Sequence, residues 1–125
     1  MADNEKFKVT ATWFNDAEVT LQVDRSVLTE ELATEINTFW SGASDRLDAE
    51  DGDVVKVVIR HFGALAIAWM MEEGGYDCVV RPPYITQQVI DSQGEGWPDV
   101  DGLGILITDA YVQPVTFDEV ELEAA

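Results

Sequence analysis

Basic residues are scarce in this chain: seven Lys and Arg stand against 25 Asp and Glu, a formal net charge of −18. So negative a surface repels phosphate backbones and anionic lipid headgroups, which argues against direct binding of DNA, RNA or a charged membrane. Lysine occurs only as Lys6, Lys8 and Lys56. Cysteine occurs once, so Cys78 has no partner for an internal disulfide, and a reducing cytoplasm is the expected location. Cys78 also lacks a flanking reactive signature and reads as a passive thiol. Histidine occurs once as well. His61 sits beside Arg60 on an apolar stretch, with no Cys, Ser or carboxylate at the spacing of a catalytic pair, and reads as structural. Zinc binding and nucleophilic catalysis both lack their ligand sets. Residues 1–5 have neither the basic nor the apolar region of a secretory signal. No internal repeat and no low-complexity tract is visible.

What is present is a foldable core. Apolar residues make up 46% of the 125 positions, with five Phe, four Trp and three Tyr, too many for a wholly disordered chain despite its charge. One domain over residues 1–125 is expected, with 1–5 and 124–125 as loose ends. The organising stretch is Val54–Met71, VVKVVIRHFGALAIAWMM, which contains no carboxylate. It reads as a central helix buried on most of its circumference, with Lys56 and Arg60 sharing a narrow polar stripe at i, i+4. A membrane span needs about 20 apolar residues, and the basic side chains and Gly63 argue against one here.

The flanking segments read as an α+β domain. Phe7–Trp13 and Ala17–Asp24 alternate apolar with polar and form a hairpin around the turn residues Asn15 and Asp16. Thr29 caps a helix whose inner side is Leu28, Leu32, Ile36, Phe39 and Trp40, with Glu31, Glu35 and Thr38 facing away and Gly42 as its stop. Ser44–Asp53 is an acidic loop or short turn, and Asp51 or Asp53 caps the central helix, which ends at Gly74 and Gly75. Tyr76–Arg81 reads as a short strand or extended segment. Pro82 and Pro83 open a helix over Tyr84–Asp91, and Gly94–Gly102 is an ordered loop. Leu103–Val112 is the most apolar strand and is expected at the centre of the sheet. Pro114 marks a turn before a closing strand, Phe117–Glu123. The order β-β-α-α-(β)-α-β-β predicts an antiparallel sheet of about four strands with helices on one face.

Abundant carboxylates raise the question of calcium. An EF-hand loop needs acids at positions one, three and five, Gly at six and Glu at twelve. Counting back from Gly52 puts Leu47 first. Counting back from Gly104 puts Asp99 and Asp101 at one and three, but Leu103 at five and Ala110 at twelve. Neither fits, which leaves only incidental divalent binding by Asp99 and Asp101 or by Asp48–Asp53. Gly94–Gly104 lacks the Lys and Ser/Thr of a phosphate loop and is lined by acids. No cofactor or metal is expected.

The acidity itself admits bland readings: a well-solvated surface, or adaptation to salt. The functional reading is mimicry of a polyanion. Acids at i, i+2 on a strand stand about 7 Å apart, and at i, i+4 on a helix about 5–6 Å, so both can offer regular negative charge to a groove built for phosphates. Glu119, Glu121 and Glu123 would form one row, and Glu31 with Glu35 another. Asp48, Glu50, Asp51 and Asp53 add local charge, and Trp97, Asp99 and Asp101 form a second contact. Trp is enriched at interface hot spots, although a core position for Trp97 is the commoner outcome.

The segments Leu28–Trp40, Asp51–Val55 and Gly96–Ile105 resemble a family of small acidic proteins of unknown function encoded by bacteriophages, prophages and other mobile elements. The resemblance extends from Phe7 to Glu123. It transfers no catalytic residue. It implies a context, because small phage-encoded proteins of this kind often bind a host protein, among them inhibitors of CRISPR complexes or restriction enzymes. The expectation is therefore a non-enzymatic module in the bacterial cytoplasm that binds a basic host protein or nucleoprotein complex. The alternative is a structural or accessory phage protein that forms a homodimer through a strand edge of the hairpin. A small-molecule or metal-binding module ranks third.

Overall fold

The computed structural model describes residues 4–12, 17–113 and 120–124. Its elements are β1 (Asn4–Thr10), β2 (Ala17–Asp24), α1 (Glu30–Phe39), α2 (Ala43–Ala49), α3 (Val54–Glu72), α4 (Pro82–Gln93), α5 (Val100–Leu103) and β3 (Ile105–Val112). The fold is α+β, as the pattern predicts, with a three-stranded antiparallel sheet in the order β1-β2-β3 in place of about four strands.

Helix α3 matches the carboxylate-free stretch. Asp53 is its cap, its side chain accepting from Lys56 N–H at 3.2 Å. The helix contacts all three strands and also α1, α2 and α4. Val58, Phe62, Ala66 and Met70 are buried, while Lys56, Arg60, Ala64 and Ala68 form the exposed stripe. By length and mean hydropathy α3 could cross a bilayer; in this domain its apolar sides are covered by the sheet and the other helices. Residues Ala17, Val19, Leu21 and Val23 of β2 are fully buried beneath it, and the outward residues of the same strand are polar and half-buried.

Several expectations need correction. The central strand is β2, not Leu103–Val112, and Leu103 belongs to α5. The apolar character of β3 comes from α4 packing on it. Tyr76–Arg81, read as a short strand or extended segment, forms one bridge, between Tyr76 and Val112, and no strand. Ser44–Asp53 is not simply a loop, because Ala43–Ala49 is helical. Residues 120–123 are not a strand, and 117–119 lie outside the described residues, as does Trp13. Asn4 and Glu5 are ordered into β1, and Arg25 Nε donates to Glu5 Oε1 at 2.6 Å. Finally, Phe39 is 52% exposed, not on the inner side of α1.

One close approach fixes the hairpin to α3. A Cβ on Gly63 would stand 2.5 Å from Cγ2 of Val9, so β1 crosses the helix where a side chain is missing. Ala is normally better than Gly inside a helix by about 0.5–1 kcal/mol, yet here it overpacks. Gly63→Ala is expected to destabilise the chain by about 1–3 kcal/mol, with partial recovery when Val9→Ala is added. Urea midpoints of the two variants check this; a gain in stability from Gly63→Ala alone would refute the contact.

Candidate functional site

The predicted site residues separate onto three parts of the fold. Glu31 and Glu35 lie one turn apart on α1 and are exposed, as is Glu30. The helix is started by Thr29, whose hydroxyl accepts from Leu32 N–H at 3.2 Å. It has acids in its first turn and no base in its last. The missing base is supplied from α2. Arg46 Nε donates to Asn37 Oδ1 at 3.0 Å, Nη1 to Ser41 O at 2.7 Å, and Nη2 to Asn37 O and Trp40 O at 3.0 and 3.2 Å. These bonds satisfy carbonyls that the end of a helix leaves without partners. They also point the guanidinium away from carboxylates, so Asp45 and Asp48 on the exposed side of α2 have no ion pair among the described residues.

The next acids play different parts. Glu50 is paired with Arg60 at 2.8 Å, so its charge is largely compensated. Asp51 adopts a left-handed backbone, φ 55, in the turn between α2 and α3, a conformation Asp tolerates better than most residues. Asp53 is the cap of α3 and is half-buried. Of the Asp48–Asp53 set, Asp48 and Asp51 alone are fully exposed.

Asp99 and Asp101 stand at α5. Gln87 on α4 ties Asp99 and Val100 to that helix, its Nε2 donating to Asp91 Oδ1 at 2.8 Å and Asp99 Oδ1 at 3.3 Å while its Oε1 accepts from Val100 N–H at 2.9 Å. Asp101 is exposed. Trp97 is a core residue, not a surface anchor: it is 8% exposed and tilts against Phe62 at 5.3 Å. The loop before it needs Gly96, whose φ is 96° and where a Cβ would come within 2.6 Å of Phe39. Of the predicted row, Glu121 and Glu123 are exposed and lie in no strand, and Glu119 is outside the described residues.

His61, read from the sequence as structural, sits in an environment that shifts its titration. His61 packs edge-on between Trp40 and Trp97, with ring centroids 6.0 and 5.5 Å away. Burial lowers its pKa below 6.5, and the Arg46 charge lowers it further. No side-chain hydrogen bond reaches His61 among the described residues, and the indole N–H groups of Trp40 and Trp97 are buried without partners there. The arrangement keeps a neutral imidazole in an aromatic wedge.

Taken together, this is an acidic α+β domain whose exposed carboxylates are spread over β1, α1, α2, the end of α3, α4, α5, β3 and the loops, with Glu30, Glu31, Glu35, Asp45, Asp48 and Asp51 following one another along α1, α2 and the next turn. The chain belongs to the family described as "Protein of unknown function (DUF2528)", which matches residues 18–122. It is 32% identical over 130 residues to "Protein ea10" of Escherichia phage lambda, with both chains covered completely. "Lambda prophage-derived protein ea10" of Escherichia coli O6:H1 (strain CFT073) matches to the same extent. It is thus a phage- or prophage-type protein of unknown function. No solved structure matches it.

The His61 wedge sets a pH dependence. Because its folded pKa lies below 6.5, the unfolded chain takes up the proton first, and this contribution to stability is complete above 6.5 and declines as pH falls below it. Melting curves of the wild type and His61→Phe between about pH 8 and pH 5 should diverge only in the acid half of that range, with the wild type losing stability relative to the variant. Parallel curves would show that the imidazole stays uncoupled from folding.

Proposed function

We propose that this protein is a non-enzymatic binding module that acts in the bacterial cytoplasm and uses its acidic helices to occupy a basic, nucleic-acid-handling surface of a host protein. The reading is carried by one observation: Glu30, Glu31, Glu35, Asp45, Asp48 and Asp51 are exposed on consecutive elements and have no ion pair among the described residues. The one base in that region, Arg46, is turned inward onto carbonyls. Such a field speeds association with a cationic groove by about 10- to 1000-fold and is screened by salt. Inhibition of a CRISPR or restriction complex is the specific form of this reading, with Asp99 and Asp101 a secondary contact. Phage encoding supports the context and does not identify the target.

A second reading, an accessory phage protein that forms a homodimer, is favoured by the outer edge of β1, which is unpaired among the described residues.

The test uses Glu31→Gln, Glu35→Gln, Asp45→Asn and Asp48→Asn combined. A host protein captured by the wild type should be displaced by duplex DNA or RNA. It should bind the combined variant at least about tenfold more weakly, and release from the wild type between about 50 and 500 mM salt. The variant should melt no lower than the wild type, since those acids make no pairs. Capture that ignores both the substitutions and salt would remove the mimicry reading.

A further inference from the structure

Among the described residues β1 has one hydrogen-bonded neighbour, β2, so its far edge carries backbone groups that are unpaired there. The register identifies them. Ala11 N–H donates to Ala17 O at 3.0 Å, and pairing continues in step from Thr10 with Glu18 to Asn4 with Asp24. Bonded and non-bonded pairs alternate in an antiparallel ladder. Glu5, Phe7 and Val9 therefore bond to β2, and Lys6, Lys8 and Thr10 present their N–H and C=O groups outward.

A groove of about 440 Å³ runs beside this edge, and its walls include the consecutive residues Phe7, Lys8, Val9 and Thr10. Lys8, Lys56 and Arg60 border it together with Glu50; Lys8 and Arg60 are paired with Glu18 and Glu50, and Lys56 has no ion pair among the described residues. The groove continues over Ala64, Ile67, Ala68 and Met71 of α3, an apolar floor.

We propose that this edge receives the segment Val120–Glu123 of a second copy of the chain as an added strand. In extended form the segment places Val120 and Leu122 on one face and Glu121 and Glu123 on the other. Laid along β1, the apolar pair falls on the side of Phe7 and Val9, above the α3 floor. The acids fall on the side of Lys6 and Lys8, where cross-strand Glu–Lys pairs form. Within its own chain the segment does not dock: Val120 is 56% exposed and Leu122 99%, and neither is in a strand. Each copy offers one edge and one segment, so the exchange is reciprocal and closes with two-fold symmetry. The added strand also covers an edge that would otherwise template uncontrolled pairing. This inference rests on the homodimer reading and is independent of the acidic helices.

Sedimentation equilibrium of the full chain over a range of concentrations should give a reversible dimer. Val120→Asp with Leu122→Asp, both at exposed positions, should raise the dimer dissociation constant at least tenfold without lowering the monomer's melting temperature. Lys6→Glu with Lys8→Glu should weaken the dimer likewise, and adding Glu121→Lys and Glu123→Lys should restore it. A dimer indifferent to these changes would overturn the exchanged strand and leave the homodimer reading standing. A chain that is monomeric at every concentration would overturn both, and a monomer that V120D/L122D destabilises would overturn the exchange alone, because the segment would then lie on its own edge.

Discussion

Helix α3 has to be covered on nearly every side, and that requirement sets the positions of the other elements. Val58, Phe62, Ala66 and Met70 are no more than 1% exposed, and burying a large apolar side chain is worth about 1.5–3 kcal/mol. The sheet covers one side, α1 another, and α4 with the Trp97 loop closes the gap between them. What stays open is the stripe from Lys56 to Ala68, bordered by β1 on one flank and α2 on the other. Core formation therefore decides which surfaces the chain can offer to anything else.

Charge follows from the same geometry. A net charge of −18 works against compaction, and only three ion pairs are formed among the described residues. Exposed pairs of this kind contribute about 0–1 kcal/mol each, so apolar burial carries the stability. Cations are instead used locally. Arg46 closes the end of α1, Arg25 ties Glu5 at the start of β1, and Lys8, Lys56 and Arg60 gather at the β1–α3 groove. The helices α1 and α2 are left negative, and the hairpin side is the least negative part of the molecule.

The sequence was most informative where one physical signal dominated. A carboxylate-free run with Asp53 before it gives α3 almost to the residue, and strict alternation gives β2. Legibility failed where tertiary contacts decided the outcome. The acids of Ser44–Asp53 suggested a loop, but a short helix forms there because Arg46 anchors it to α1. The apolarity of β3 suggested a central strand, yet apolar residues are equally required beneath α4. Trp97 and Glu50 looked available for a partner, and their roles depend on Phe62, His61 and Arg60, far from them in sequence. Glu31, Glu35, Asp48 and Asp101 are exposed on helices, where an acid needs no partner to be tolerated.

The pairing of β2 with β3 has a consequence for synthesis. Thr108 Oγ1 donates to Thr20 O across 88 positions of sequence, and all five helices lie between the two strands. A nascent chain emerging from the ribosome can close the β1–β2 hairpin early, but its second edge stays bare until the last third has been made. At about 5–20 residues per second, that interval lasts several seconds. Throughout it the dense negative charge of the finished portion keeps neighbouring unfinished chains apart.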